Sequence, residues 1–222
     1  MKNSKQMSES LFVALLITFS GGLQDAYTYF ARDHVFANAQ TGNIVLMASK
    51  IADGHLLESL RYLAPLFAFA FGIFITEQIQ GRFKQAQQLH WRQFVLLLEI
   101  IVLFLAGWIP SSINFVANSL ISFSCAMQVQ AFRSTHGYPY ASTMCIGNIR
   151  AGVSAFSHWC RTKNHQSLTK AGHYLLVILI FAAGAATGYN SVATIGLPTI
   201  WVSALLLLVA FCLMFKTEEN RF

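Results

Sequence analysis

Charge is scarce in this chain: 11% of its residues are Asp, Glu, Lys or Arg, against 55% that are apolar. An ordinary soluble domain carries about a quarter charged residues, so that class is excluded. Its four cysteines (Cys125, Cys145, Cys160 and Cys212) include no Cys-x-x-Cys pair, and neither a disulfide framework nor a zinc site is signalled. His158, His165 and His173 are spaced by seven and eight, but a loop interrupts that face and no metal site is expected. Gly-x-Ser-x-Gly, His-Glu-x-x-His and phosphate-binding glycine loops are missing as well. Neither an enzyme nor a cofactor is implied. The apolar runs are continuous rather than alternating, which excludes a strand barrel. Net charge is +6, yet the basic residues sit in short segments between apolar runs, as in a membrane protein rather than a nucleic-acid binder.

What the chain does have is apolar runs near the ~20 residues that a helix needs to cross a bilayer. They cover about Ser10–Phe30, Leu60–Ile79, Gln93–Ile109, Ile113–Phe132, Ala171–Gly188 and Ile195–Phe215. Two further stretches are apolar but short: 35–49, which contains Asn38, Gln40, Thr41 and Asn43, and Gly137–Ile149, which is interrupted by Pro139. The expected class is all-α: a polytopic membrane protein, a single domain over 1–222, with its partner the lipid bilayer. Lys2 and Lys5 before Leu11–Phe19 mimic a signal peptide, but no small-x-small cleavage site follows convincingly, so this run is read as an uncleaved span.

The chain also repeats itself. At an offset of 105, Ala26 meets Ala131, Tyr27 meets Phe132, and Gly42-Asn43-Ile44 meets Gly147-Asn148-Ile149. Further on, Phe69-Ala70-Phe71-Gly72 resembles Phe181-Ala182-Ala183-Gly184 once seven extra residues are allowed. Two repeats follow, 10–109 and 113–215.

The same segments carry a family resemblance. Asp25-Ala26-Tyr27 with Val35-Phe36-Ala37-Asn38-Ala39-Gln40-Thr41-Gly42-Asn43 resembles the first signature of the YoaK-like family of bacterial membrane proteins. Gln128-Val129-Gln130-Ala131-Phe132-Arg133 with the run Gly137 to Arg150 resembles the second, which commonly ends Thr-Gly-Asn-Leu-Arg; here Ile146 replaces the Thr. The resemblance implies a multi-pass protein of the bacterial inner membrane. It implies no activity, because the family is essentially uncharacterised.

Counting the crossings decides the symmetry. If both Gly-Asn elements cross, there are eight spans and the repeats are parallel. If they are re-entrant, there are six, three per half, and the repeats are inverted. Fifteen residues at ~1.5 Å each fall short of a ~30 Å core, which favours dipping at 35–49. Charge agrees: with six spans and both termini cytoplasmic, eleven Lys and Arg lie inside and three (Arg32, Lys50 and Arg61) outside, whereas eight spans give nine against five. The expected architecture is therefore six transmembrane helices plus two short broken helices.

A helix that stops inside the membrane bares backbone groups that must face protein, water or ligand. Thr41-Gly42-Asn43 and Gly147-Asn148 suit such breaks, or else close helix packing tied by Asn. Asp25 is a carboxylate within a span, with Arg133 and Arg150 as possible partners from the other half; the alternative is a local ion pair with Arg32. Gln24, Gln128 and Gln130 flank it and could orient a solute or cross-link helices. Glu99 is either a proton carrier or a neutral buried acid hydrogen-bonded to a neighbour. Gly184 and Gly188 suit close helix packing, within the monomer or in a homo-oligomer, and the four tryptophans suit interfacial anchors. The leading expectation is a small secondary transporter for a small polar or ionic solute, working by alternating access. A channel and a non-transporting assembly or sensor protein are the alternatives.

Overall fold

The structure, a computed structural model, describes residues 10–83, 90–135 and 138–215. Eight α-helices dominate them: α1 (Leu11–Ala31), α2 (Gln40–Ala52), α3 (Leu56–Phe83), α4 (Trp91–Ala106), α5 (Asn114–Ala131), α6 (Cys145–Thr162), α7 (His165–Ile195) and α8 (Thr199–Leu213). Two two-residue strands, β1 (Ser134–Thr135) and β2 (Tyr138–Pro139), form a small antiparallel ladder before α6.

Local chemistry explains the boundaries. Ser10 caps α1 by accepting from the Val13 amide. His90 and Gln93 form a capping box at the start of α4. Lys163 adopts the left-handed conformation that ends α6, and Asn164 then caps α7. Gly54, at φ +78°, makes the tight turn between α2 and α3. Three residues, 53–55, therefore join α2 to α3, and two, 163–164, join α6 to α7.

α1, α3 and α7 are each long and apolar enough to cross a membrane, and α4 with α5 forms a further apolar pair bent by 117° at residues 107–110. Large apolar side chains cover the outside, among them Phe67, Phe71, Phe74, Phe104, Leu175, Leu179 and Leu205. Such a surface suits hydrocarbon rather than water.

The contacts set the helix directions. Along α1 and α7 they advance together: Gly184 meets Phe19, Gly188 meets Leu23 and Ala26, and Tyr189 meets Phe30. Along α3 and α5 they also advance together, from Gly72 on Phe123 to Glu77 on Arg133. α1 and α5 run oppositely, since Ile17 meets Gln128 whereas Arg32 meets Asn114. The bundle therefore has an Arg32 end and an Arg133 end. α1, α4 and α7 run toward the first; α3, α5 and α8 run away from it. α1 ends and α3 begins at the same end, because Asp33 lies beside Leu57 and Arg61. α2 does not reverse the chain.

The halves pack reciprocally. α1 lies chiefly on α7 and α3 on α5, while α4 meets α8. Gly72 against Phe123 is matched by Gly184 against Phe19, the pair of glycines that the seven-residue allowance aligned. Trp108 and Trp201 lie together at the Arg32 end, their ring centroids 5.3 Å apart. Trp91 departs from the anchor reading: its ring is buried in the core, under the Arg92 guanidinium.

Candidate functional site: a buried polar centre between two broken elements

Residues 20–28 of α1 are buried throughout, and the site is built around them. After Arg32 the chain turns back at Asp33 and His34, both at positive φ, and descends beside α1 without helical hydrogen bonds. Buried backbone of this kind needs other partners. The Ala37 amide donates to Thr28 Oγ1 (3.1 Å) and the Asn38 amide to Asp25 Oδ1 (2.8 Å). Asn38 Nδ2 donates to the Gly21 carbonyl, reaching the middle of α1. There α2 begins and climbs back to the Arg32 end. Asn43 clamps the two limbs: its Oδ1 accepts from the Phe36 amide (3.0 Å) and its Nδ2 donates to the Phe36 carbonyl (2.7 Å).

The second half repeats the device from the other end. Asn148 accepts from the Ala141 amide (3.4 Å) and donates to the Ala141 carbonyl (2.7 Å). Both residues are displaced by 105 from Phe36 and Asn43. Tyr174 anchors the entering limb through the Pro139 carbonyl, and Gln128 donates to Ser142 Oγ. The tips also correspond. Asn38 and Thr143, again 105 apart, both reach Gly21, where a Cβ would stand 2.5 Å from Thr143 Cγ2.

Replacing Asn43 or Asn148 with alanine strands a half-buried amide and carbonyl, and a buried group left unpaired costs ~1–3 kcal/mol. Each variant is expected to lose about 2 kcal/mol, measured by reversible unfolding in mixed micelles. Equal losses would reflect their equivalent roles.

Around the tips lies a polar cluster. Ser20 and Ser203 share a hydrogen bond, Gln24 Nε2 donates to both (3.0 Å each), and the Cys125 thiol donates to Gln24 Oε1 (2.9 Å). Glu99 is fully buried beside Gln24 and Ser124, yet neither carboxylate oxygen has a hydrogen-bond partner among the described residues. Gln24 and Ser124 are the polar side chains that face its carboxyl group. Thr18 Oγ1, Asn38 Oδ1, Ser122 Oγ, Gln128 Oε1 and Thr143 Oγ1 are likewise buried and unpartnered among those residues. Buried polar atoms normally find partners, so such a concentration is unusual for a packing core. Two carboxyl groups buried without a paired cation can be protonated, or can hold a cation; left ionised and alone they would be very costly.

The structure divides the expected site residues. Gln24, Asp25 and Glu99 belong to this centre. Asn43 and Asn148 hold its two limbs. Gly42 and Gly147 do not form the breaks: both lie in the first turn of a continuous helix, and the interruptions precede them at 32–39 and 132–144. Gly42 lets the Phe36 ring approach, Gly147 has open space, and Thr41 is exposed. Asp25 pairs with neither Arg133 nor Arg150. Arg133 and Gln130 are at the far end of α5, where both engage Glu77 of α3; Arg150 is exposed on α6. Nor does Asp25 pair with Arg32, whose guanidinium donates elsewhere. The contributors that sequence reasoning missed are Ser20, Ser203, Cys125 and the tips Asn38 and Thr143. The tips were within reach, since they share the 105-residue offset. A cavity of about 600 Å³ lies elsewhere, between the Arg32-end segments of α3 and α5, where leucines and phenylalanines share the lining with Asp33, Arg61, Ser112 and Asn114.

Fold and site together define an all-helical protein with apolar, membrane-length helices and two broken elements that meet at a buried polar centre. The chain belongs to the family described as "Protein of unknown function (DUF1275)", whose model matches residues 13–213. No curated protein and no solved structure matches it. Among the described residues no group of three or more His, Cys, Asp or Glu is placed to hold a metal ion.

Proposed function

We propose that this is a six-span protein of the bacterial inner membrane, YoaK-like, built as two inverted repeats (10–109 and 113–215) in one domain. In this reading it is a secondary transporter for a small polar or ionic solute. The helix directions support the layout: toward, away, toward in the first half, and away, toward, away in the second. Arg82, Arg92, Arg133, Arg161, Lys163 and Lys170 all fall at the Arg133 end, which by the positive-inside rule faces the cytoplasm.

One observation carries the functional reading. Both chain interruptions end against Gly21, beside Gln24 and Asp25. Broken elements meeting at mid-membrane between inverted repeats are the usual place for a transporter's solute and coupling ion. In this mechanism one repeat rocks against the other, so that the centre opens to each side in turn. Asp25 and Glu99 exchange a proton or bind a cationic group, while Gln24 and Asn38 orient the solute. Closure favours a carrier over a channel, since Gln24 and Glu99 are fully buried and Asp25 is 8% exposed.

The test is reconstitution into liposomes with an imposed pH gradient and a broad panel of small polar and ionic solutes. An Asp53→Cys variant, labelled with an impermeant maleimide at the Arg32 end, reports the orientation. At least one solute should accumulate, and Asp25→Asn should cut uptake tenfold or more while the protein stays folded. Solute permeability unchanged by the wild-type protein would sink the proposal.

A further inference from the structure

α3 and α5 touch closely where Gly72 meets Phe123. Toward the Arg32 end the cavity of about 600 Å³ opens between them, a volume in the range of small-molecule sites. Leu57, Leu60, Arg61, Ala64 and Phe67 fall at helical spacing on one face of α3 and line one wall. Asp33 and Phe115 line another. Asp33 is held in place: it stands at φ +63° with His34 following at +56°, and Asn114 Nδ2 donates to its Oδ1 at 2.9 Å. Successive non-glycine residues in the left-handed region are strained backbone of the kind that recurs at ligand clamps. Arg61 is half-buried. Glu58, one turn earlier, is bridged to Lys50 at 2.8 Å and senses Arg61 without a hydrogen bond to it. Asp33 and Arg61 thus set opposite charges on one cavity and form no ion pair with each other.

We propose that this cavity binds a zwitterionic phospholipid whose headgroup ends in a primary amine, phosphatidylethanolamine being the simplest. Opposite charges that face one space without meeting are what a zwitterion bridges. The Arg61 guanidinium can grip two phosphate oxygens in a fork, and the ammonium can donate to the Asp33 carboxylate. A phosphatidylglycerol headgroup offers Asp33 no cation. A phosphatidylcholine headgroup offers one without N–H donors. The order in depth also matches a lipid. α3 runs away from the Arg32 end, so Phe67 lies ~9 Å farther in than Arg61. An acyl chain along Ala64, Phe67 and Phe115 would cover two phenylalanines that the fold leaves exposed. The inference rests on the membrane-spanning reading and not on transport, since no lining residue belongs to the Asp25 centre.

The test uses the full chain in detergent doped with equal amounts of phosphatidylethanolamine, phosphatidylglycerol and phosphatidylcholine. Native mass spectrometry counts each lipid retained. Phosphatidylethanolamine should exceed either rival by about threefold or more. Asp33→Asn keeps an acceptor for Asn114 and a residue that tolerates left-handed backbone, so the fold stays; the preference over phosphatidylglycerol should vanish. Arg61→Gln should cut phosphatidylethanolamine retention by about fivefold, the loss of one charge-assisted fork. Asp53→Asn, the same charge change at the same end but outside the cavity, should retain lipid like wild type. Equal retention of the three lipids, or equal effects of Asp33→Asn and Asp53→Asn, overturns the proposal. So does phosphatidylethanolamine retention that Arg61→Gln leaves unchanged. A protein that selects this lipid yet moves no solute would refute the transport reading alone; solute uptake without lipid selectivity would refute this one alone.

Discussion

Replacing Arg32 with methionine is expected to cost about 3–5 kcal/mol of stability, because three acceptors lose their donor at ~1–3 kcal/mol each. Arg32 is fully buried. Its Nε donates to the Tyr27 hydroxyl (2.9 Å), one terminal nitrogen to Asn114 Oδ1 (2.9 Å) and the other to the Ala106 carbonyl (3.2 Å). Its own carbonyl accepts from Asn118 Nδ2 at 2.7 Å. One side chain thus ties the end of α1 to the end of α4 and the start of α5. Methionine keeps much of the volume but leaves three buried acceptors without a donor. Lysine should recover only part of the loss, because one ammonium cannot reproduce the planar fork. Thermal unfolding in detergent measures the effect; a midpoint for Arg32→Met within about 2 °C of wild type would contradict it.

Nothing in the sequence marked that role. Arg32-Asp33-His34 reads as a polar break between apolar runs, and a break normally faces water. What separates Arg32 from a loop arginine is the carbonyl freed where α4 stops and an asparagine beyond it, more than seventy residues away in the chain. Periodicity carries no information about such distant partners. The same limit explains Asp25: it sits inside α1, six residues from its end, whereas Arg133 lies past the end of α5, and positions 105 residues apart need not lie at the same depth. The spacing of the two clamps was legible, with Asn43 and Asn148 standing 105 residues apart. Asn43 and Asn148 hold equivalent backbone groups, so the asparagines keep their spacing even where the residues around them drift. α1 was legible too, because an apolar run has few alternatives; it spans Leu11–Ala31 against an expected Ser10–Phe30. The position of the breaks was misread for a physical reason. Gly-Asn suggests a loop, yet here the glycine keeps helical dihedrals and Asn reaches back to the preceding limb.

Glycine has a sharper part in the crossing of α1 and α7. A Cβ on Gly22 would meet the Phe181 carbonyl, and one on Gly184 would meet the Phe19 carbonyl, each well inside van der Waals contact. The obstacle is backbone in both cases, so no rotamer change can relieve it. Gly22→Ala and Gly184→Ala are each expected to cost about 3 kcal/mol, the upper part of the usual range for overpacking. Once the helices have separated for one methyl group, much of the cost of the second is already met. The double variant should therefore lose clearly less than the sum of the singles, as coupled neighbours do. Gly72→Ala, against the Phe123 carbonyl at 2.5 Å, tests the reciprocal crossing of α3 on α5. Gly81→Ala and Gly172→Ala have open space and should be neutral or stabilising by up to about 1 kcal/mol, the helix-propensity gain of alanine. Comparable losses at the open and the crowded glycines would show that helix–helix distance is not what these residues set.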